Sequence, residues 1–532
     1  MNPRVALLLS ALAGYVSLSQ EILWFRVISY ATGGAPAAFA HLLGCFLVGL
    51  AVGSLVANHL AKRPVAQPGL LLGGLFLASA AVGYLSIPST AQMFQMGADG
   101  GVLYAYLMVA LVAFPGGVLF PLLCHYGIPP ARAVGESLSG IYVANVLGST
   151  FGPCFTTFVL MDRFRLPELV ALVTAVALVG ALVAVLAVPA TGKARVGFVG
   201  VLALLVAAGA AVHADQYALL LERLHFKDEF TGRPYRVVQE GRSGVVAVGG
   251  DEADRTIYGG GIYDGTFNVS PVANENGIRR VFLVSNMRRQ LTDVLEIGLA
   301  SGSWARVLAD HQDVKSLTAV EINPAYLDVI RQFPEQASVL DDPKISLQID
   351  DGRRWLLRNP ERKFDVIVMN TTFFWRSQSS NLLSSDFLRL CKAHLKPGGV
   401  LFLNTTHNED VRYTAAQVFP HVTRVDGFAA LSDVPFDMTV EERRAALRRF
   451  QSNGRPVFAP DIPGSEAVLE ELATRPLPDE GDALRARTDL WEITDDNMAS
   501  EYKVGFTTSN PSRSWGQLFE RLRKGGGGIV VR

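Results

Sequence analysis

Seven hydrophobic runs crowd into the first 213 residues of this 532-residue chain. They lie near 5–25, 36–58, 69–88, 101–125, 139–160, 167–189 and 195–213. A bilayer span needs roughly 17–25 apolar residues, so each run is long enough to cross one. The charges avoid this region. Nine basic and five acidic residues occur up to His213, against 39 and 44 in the remainder. The net charge of −1 therefore conceals a helical half at +4 and a charged half at −5. This excludes a single soluble domain. It also excludes a nucleic-acid binder driven by global positive charge. The first run has no small-residue cleavage site and further spans follow it, so it is expected to stay as an anchor.

Within the spans, Gly49, Gly53, Gly73, Gly74, Gly148 and Gly152 are expected to let helices approach closely in lipid, where the hydrophobic effect does not drive association. Glu21, Trp24 and Arg26 read as an interfacial neighbourhood with an aromatic anchor. His41 and Asn145 read as interhelical hydrogen-bonding groups. Pro115-Gly116-Gly117 and Pro121 mark the fourth span as re-entrant or broken. Six basic residues on one side (Arg4, Lys62, Arg63, Arg132, Lys193, Arg195) against three on the other (Arg26, Arg163, Arg165) favour an inside N-terminus. With seven spans that leaves the charged half outside, whereas nucleoside cofactors are made in the cytosol. The face carrying the charged half stays open. The four cysteines show no zinc or disulfide spacing.

Domain limits are expected at 1–214 (helical transmembrane domain), 215–290 (linker helix and small β-region), 291–430 (Rossmann-like domain) and 431–532 (C-terminal extension). In the small β-region, strands are expected at Tyr235–Val238, Gly244–Val248, Arg255–Tyr258 and Val281–Val284. Then β and α segments alternate. Strands at Asp293–Ile297, Leu317–Val320, Ile345–Ile349, Phe364–Met369 and Val400–Leu403 are separated by helices, the last strand following a Pro397-Gly398-Gly399 turn. This is the pattern of a doubly wound parallel sheet, whose ligands bind outside the carboxyl ends of the strands. The tail beyond Val411 mixes helices and charged loops. Glu441 to Arg444 and Arg448-Arg449 read as a solvated face, and Gly525–Gly528 as a flexible end.

The strand ends carry chemistry in order. The first ends in the turn Gly298-Leu299-Ala300-Ser301-Gly302, where backbone can approach a ligand. The second ends in Glu321, able to accept bonds from both hydroxyls of a ribose. The third ends in Asp350-Asp351-Gly352, where Asp351 can accept from an exocyclic amine, although a carboxylate there can equally cap a helix. The fourth ends in Asn370, at the reaction position. A dinucleotide site would also place an acid after the second strand. It lacks a role for Asp350-Asp351, and the turn lacks its third glycine. Glu296-x-Gly298-x-Ala300-x-Gly302 resembles the first motif of S-adenosylmethionine-dependent transferases.

The run Val294–Leu403 resembles spermidine synthase, the polyamine aminopropyltransferase. The helical half is similar to the membrane-fused branch of that family at Gly14–Arg26 and Ile141–Gly148, as is Thr494-Asp495-Asp496-Asn497 with Glu501-Tyr502. The resemblance implies a Rossmann-like transferase domain in which Gly298, Ala300, Ser301 and Gly302 line the donor. Glu321 would hold its ribose, and Asp350, Asp351 and Gly352 its adenine. The donor would be S-adenosylmethionine or its decarboxylated form, with no metal. The family's glycine loop carries an aspartate where Ser301 stands, and its proton-accepting aspartate is Asn370 here. The acidic partner that follows is replaced by Thr372-Phe373-Phe374-Trp375, and the upstream Tyr-Gln appears as Tyr235-Arg236.

A polyamine is a polycation whose attacking amine must lose a proton. Asn370 is no base, and an aromatic run with Arg376 does not neutralise a polycation. The nucleoside half of the site survives these changes. Phe373, Phe374 and Trp375 read either as an apolar acceptor pocket or as a packed loop. His407 reads as an acid/base or as a surface histidine.

Three readings stand open. The first is a membrane-embedded alkyl (aminopropyl-type) transferase. The second is a methyltransferase acting on a lipid or apolar acceptor. The third is a catalytically degenerate nucleoside-binding regulator. The expected partners are the lipid bilayer and a small-molecule or lipid acceptor, with homo-oligomerisation open. The expected location is the bacterial inner membrane.

Overall fold

A computed structural model describes residues 1–128, 134–250, 255–370 and 373–502. It divides into two compact units, Met1–Pro234 with Glu240–Arg242, and Tyr235–Gln239 with the chain from Ser243 onward.

The first unit contains seven helices long and apolar enough to cross a membrane. They are α1 (Pro3–Ala31), α2 (Ala37–Ala61), α3 (Pro68–Met96), α4 (Ala98–Gly127), α5 (Val134–Phe155), α6 (Leu166–Ala187) and α7 (Gly192–Tyr217), followed by the short α8 (Leu220–Phe226). All seven expected runs are helices. Small residues set their packing. A Cβ added at Gly148 would strike the Ala11 backbone of α1. At Gly49 and Gly53 it would strike the Ala110 and Phe114 carbonyls of α4, whereas at Gly74 it would meet nothing.

Polar groups bond between these helices. The Asn145 amide donates to the Ser10 carbonyl at 3.1 Å, and Gln20 donates to the Ser79 carbonyl at 3.1 Å. His41 meets Tyr106 edge to face.

Two expectations fail here. The fourth span is neither broken nor re-entrant. α4 runs unbroken through Pro115 and Pro121, and Gly117 lies against the Leu50 backbone of α2. A neighbouring helix that close holds the segment helical despite the missing N–H groups. Trp24 is no interfacial anchor, since it is fully buried. Arg26 pairs with Glu240 at 3.1 Å, both side chains buried, so its partner is not Glu21.

The second unit opens with a four-stranded sheet in the order β1 (Val237–Gly241), β2 (Gly244–Val248), β3 (Thr256–Gly259), β4 (Ile262–Thr266). Val281–Val284 is not a strand. It is helical, spanning α9 (Arg279–Phe282) and a 3-10 turn at Leu283–Asn286. Val281, Phe282, Leu283 and Val284 are all buried, and a short run buried on every side does not distinguish helix from strand by its pattern.

The Rossmann-like α/β core follows. Its strands are β5 (Asp293–Ile297), β6 (Ser316–Glu321), β7 (Ile345–Ile349), β8 (Phe364–Met369), β9 (Leu395–Asn404), β10 (His421–Val425) and β11 (Phe428–Ser432). The intervening helices are α10 (Ser303–Ala309), α11 (Ala325–Ile330), α12 (Pro334–Asp341), α13 (Gly352–Arg358), α14 (Ser380–Leu383), α15 (Ser385–Ala393) and α16 (Glu409–Val418), with α17 (Val440–Leu447) beyond. The sheet order is β10-β11-β9-β8-β5-β6-β7. β5 to β9 are parallel.

The sheet is mixed, because β10 and β11 join antiparallel. Only Asp426-Gly427 separates them, and a two-residue connection permits nothing but a hairpin. Pro397-Gly398-Gly399 does not precede the last parallel strand; it lies within β9 as a bulge, where the register moves from Phe364–Leu395 to Val366–Val400. Arg443 on α17 is buried and donates to the Arg475 carbonyl at 2.9 Å, so that helix face is not wholly solvated. Gly525–Gly528 and Thr372 lie outside the described residues.

Candidate functional site

The strand order reverses between β5 and β8: the chain builds β6 and β7 on one side of β5, then β8 and β9 on the other. A crevice opens at the carboxyl ends of such a pair. Here those ends carry the glycine turn and Asn370.

Gly298 has φ +90°, and a Cβ there would lie 3.1 Å from the Asn370 carbonyl oxygen. Only glycine fits both constraints. Ala300 and Gly302 are also left-handed, at φ +47° and +73°. The turn is tied down by Gly302 N–H to the Leu299 carbonyl (2.8 Å) and Gly298 N–H to the Val320 carbonyl (2.9 Å).

Glu321 lies beneath this turn. Its carboxylate accepts from Leu299 N–H at 2.9 Å and from Asn323 N–H at 2.8 Å. Burial pushes its pKa up, and the bonds from Asn323, Leu299 and Ala300 restrain the rise, leaving it at about 7. Glu296 is buried on β5, and neither carboxyl oxygen has a hydrogen-bond partner. Burial, then the charge of Glu321, raise its pKa well above the usual carboxylate range.

Ser301 stands where the resemblance places an aspartate. Its hydroxyl faces inward, 2.9 Å from Ser303 Oγ and 3.3 Å from the Thr266 carbonyl. Asp351 is the N-cap of α13, accepting from Arg354 N–H at 2.8 Å. Asp350 pairs with Arg354 and Arg358. Gly352 packs on Ile297, with no room for a Cβ. The third strand end is thus a helix cap.

Beside the glycine turn is a cavity of about 200 Å³ that includes Asp264, Arg280, Asn370, Phe373, Asn404 and His407 in its wall. Asn404 donates to Asn370 Oδ1 at 3.5 Å. Thr406 and His407 are both left-handed, at φ +44° and +64°, and non-glycine residues hold that conformation at a cost of order 1–3 kcal/mol. This strained turn after β9 leaves His407 exposed, and it contributes to the cavity wall. Asp264 is bonded by the Tyr326 hydroxyl. Burial raises its pKa, against the pull of Tyr326 and then Arg376.

The aromatic run divides. Phe373 lines the cavity. Phe374 packs against the apolar core beneath the sheet. Trp375 is buried and stacked on Phe373, with ring centroids 5.9 Å apart. Of the three, Phe373 is the one in the cavity wall, backed by the Trp375 ring.

The terminal motif has a structural task. Asp495 binds Arg353 of α13 at 2.8 Å and Ser384 at 2.6 Å. Glu501 accepts from Gln378 N–H (2.9 Å) and Ser380 N–H (3.0 Å). It thereby fixes the segment that follows the aromatic run.

Asp264, Arg280 and Asn404 escaped the sequence reading. Asp264-Gly265 lies within β4, and Arg280 adjoins a segment taken for a strand.

Together these features define a Rossmann-like α/β domain with a crevice at the β5/β8 switch point. Comparison with known proteins is more particular. Residues 280–426 match the spermine/spermidine synthase domain. Polyamine aminopropyltransferase 1 of Pseudomonas aeruginosa is 36% identical over 133 residues, 23% of this chain and 45% of that protein. Spermine synthase of Arabidopsis thaliana is 31% identical over 138 residues, 24% of this chain and 38% of that protein. The chain spans less than half the length of these curated relatives. A crystal structure of spermidine synthase with a transition-state analogue aligns at a TM-score of 0.37 and 16% identity, covering 46% of this chain and 85% of that one.

Proposed function

We propose that this chain is a membrane-embedded, spermidine-synthase-like transferase. It binds S-adenosylmethionine or its decarboxylated form and moves an alkyl group, aminopropyl or other, from the sulfonium to an acceptor. The observation that carries this reading is the Glu321 carboxylate. It is held by the N–H groups of the glycine turn at the switch point, where the hydroxyls of a ribose can meet it. The match of residues 280–426 to the spermine/spermidine synthase domain supports the same reading. The helical unit would be the membrane domain, since each of its seven long helices suits a bilayer.

In the reaction, a lone pair of the acceptor attacks the carbon on sulfur. The carbon–sulfur bond breaks with its electrons staying on sulfur, and methylthioadenosine leaves. The protein's share is alignment of the reacting pair. Asn370 can orient the acceptor but takes no proton, so the acceptor proton falls to His407 or Asp264, the titratable acceptors in the cavity wall. Ordinary transfer to putrescine is disfavoured, because Asp264, the one carboxylate among the described residues of the cavity wall, is already bonded by Tyr326, and the same wall holds the Arg280 cation.

A methyltransferase on an apolar acceptor is the second reading. It is favoured by Ser301, whose inward hydroxyl offers no carboxylate to an aminopropyl ammonium. The test is incubation of the detergent-solubilised chain with each donor and a total membrane and metabolite extract. Release of methylthioadenosine supports alkyl transfer, and S-adenosylhomocysteine supports methyl transfer. Donor binding with neither product supports the nucleoside-binding regulator.

A further inference from the structure

Arg280 is a built-in cation of the cavity with no carboxylate of its own. Its guanidinium lies over the Phe428 ring at 4.8 Å and the Trp304 ring at 6.0 Å, both buried aromatics. Its Nε donates to the Gly277 carbonyl at 2.9 Å, and one Nη donates to the Asn276 carbonyl. Those carbonyls come from a loop in which Asn274, Asn276 and Gly277 all have left-handed backbone, at φ +52°, +55° and +58°. Strain of this kind persists only where the surroundings enforce it, and here it aims two carbonyls at one guanidinium.

Among the described residues Arg280 has no ion pair. The acid that acts on it at longer range, Asp426, is bound to Arg475 at 2.6 Å. Asp264, the acid in the cavity wall, is bonded by Tyr326 and also sits in the field of Arg376. The other charged or titratable groups in the wall are His407 and Tyr263, whose hydroxyl donates to Asn276 Oδ1 at 2.8 Å. The remaining polar neighbours, Asn370 and Asn404, are amides. A planar guanidinium held from behind by carbonyls and rings presents its free edge to a carboxylate.

We propose that Arg280 receives a carboxylate beside the reaction position, so that this site takes an anionic group where a polyamine site takes cations. The proposal rests on the nucleoside reading of the crevice and names the ligand chemistry next to it. Two sources supply such a carboxylate. Intact S-adenosylmethionine carries one at the end of its amino-acid chain, and its decarboxylated form does not. Alternatively, the acceptor carries it.

Calorimetry on the detergent-solubilised full chain separates these sources. Methylthioadenosine, which has no carboxylate, reports the nucleoside crevice alone. If the donor is the source, wild type binds S-adenosylmethionine about tenfold or more tighter than the decarboxylated form, as a charge-assisted bond implies. Arg280→Gln abolishes that preference while methylthioadenosine affinity is retained, and Arg280→Lys keeps part of it. If the acceptor is the source, the two donors bind alike. The methylthioadenosine complex then binds butyrate in preference to butylamine, and Arg280→Gln removes that preference. A preference that survives Arg280→Gln overturns the proposal. So does the absence of both preferences in a protein that still binds methylthioadenosine. Failure of methylthioadenosine itself to bind overturns the nucleoside reading and takes this proposal with it.

Discussion

Glu321 shows how a single side chain couples stability to ligand chemistry. Its pKa in the fold, about 7, lies above the ordinary 4.5, so between those values the folded chain holds a proton that the unfolded chain has lost. Its contribution to stability is full below about pH 4.5 and is lost as pH rises to about 7, an effect of order 3 kcal/mol. Glu296 acts in the same direction. Thermal unfolding should therefore show the charged unit more stable at pH 5 than at pH 8, and Glu321→Gln should flatten the profile while abolishing methylthioadenosine binding.

Gly298→Ala forces a Cβ to 3.1 Å from the Asn370 carbonyl at φ +90°. It should cost about 1–3 kcal/mol and weaken methylthioadenosine binding, both measurable by melting with and without ligand. Asn370→Asp restores the missing carboxylate. It should still leave putrescine turnover at background, because Arg280 remains in the cavity. Turnover in that variant would show that the base alone was lacking.

At the scale of elements, the seven spans and the parallel strands were legible because their signals are long or repeated. Apolar length marks a span, and a short apolar strand ending in a polar or glycine residue recurs from β5 to β8. The rest depended on three-dimensional neighbours. α4 keeps its form through Pro115 and Pro121 because α2 lies against Gly117. The helix over Val281–Val284 was hidden because every side chain there is buried. The hairpin of β10 and β11 was visible at Asp426-Gly427, but the charged composition around it drew the segment into a loop reading.

Helix packing in the first unit is testable at the same scale. Gly148→Leu meets the Ala11 backbone and should separate α1 from α5, lowering the melting temperature in detergent. Gly74→Leu places its Cβ in open space and should leave it unchanged.

For the whole molecule, the placement of the groups assigned to the donor was legible from order along the chain, since glycine turn, Glu321, Asp351 and Asn370 fall at successive strand ends. The acceptor half could not. It is assembled from β4, the loop before α9, and the turns after β9 and β10, segments far apart in sequence. Asp264, Arg280 and Asn404 become neighbours only in the fold, and with them the cavity changes from a polycation site to one with a fixed positive charge.

The central claim is that the β5/β8 crevice binds an adenosine sulfonium or thioether through Glu321. Calorimetric titration of the detergent-solubilised full chain with methylthioadenosine tests it most directly. The account predicts one saturable site that Glu321→Gln abolishes and Gly74→Leu leaves intact. No binding to the wild-type chain, or equal binding to the Glu321→Gln variant, would contradict it.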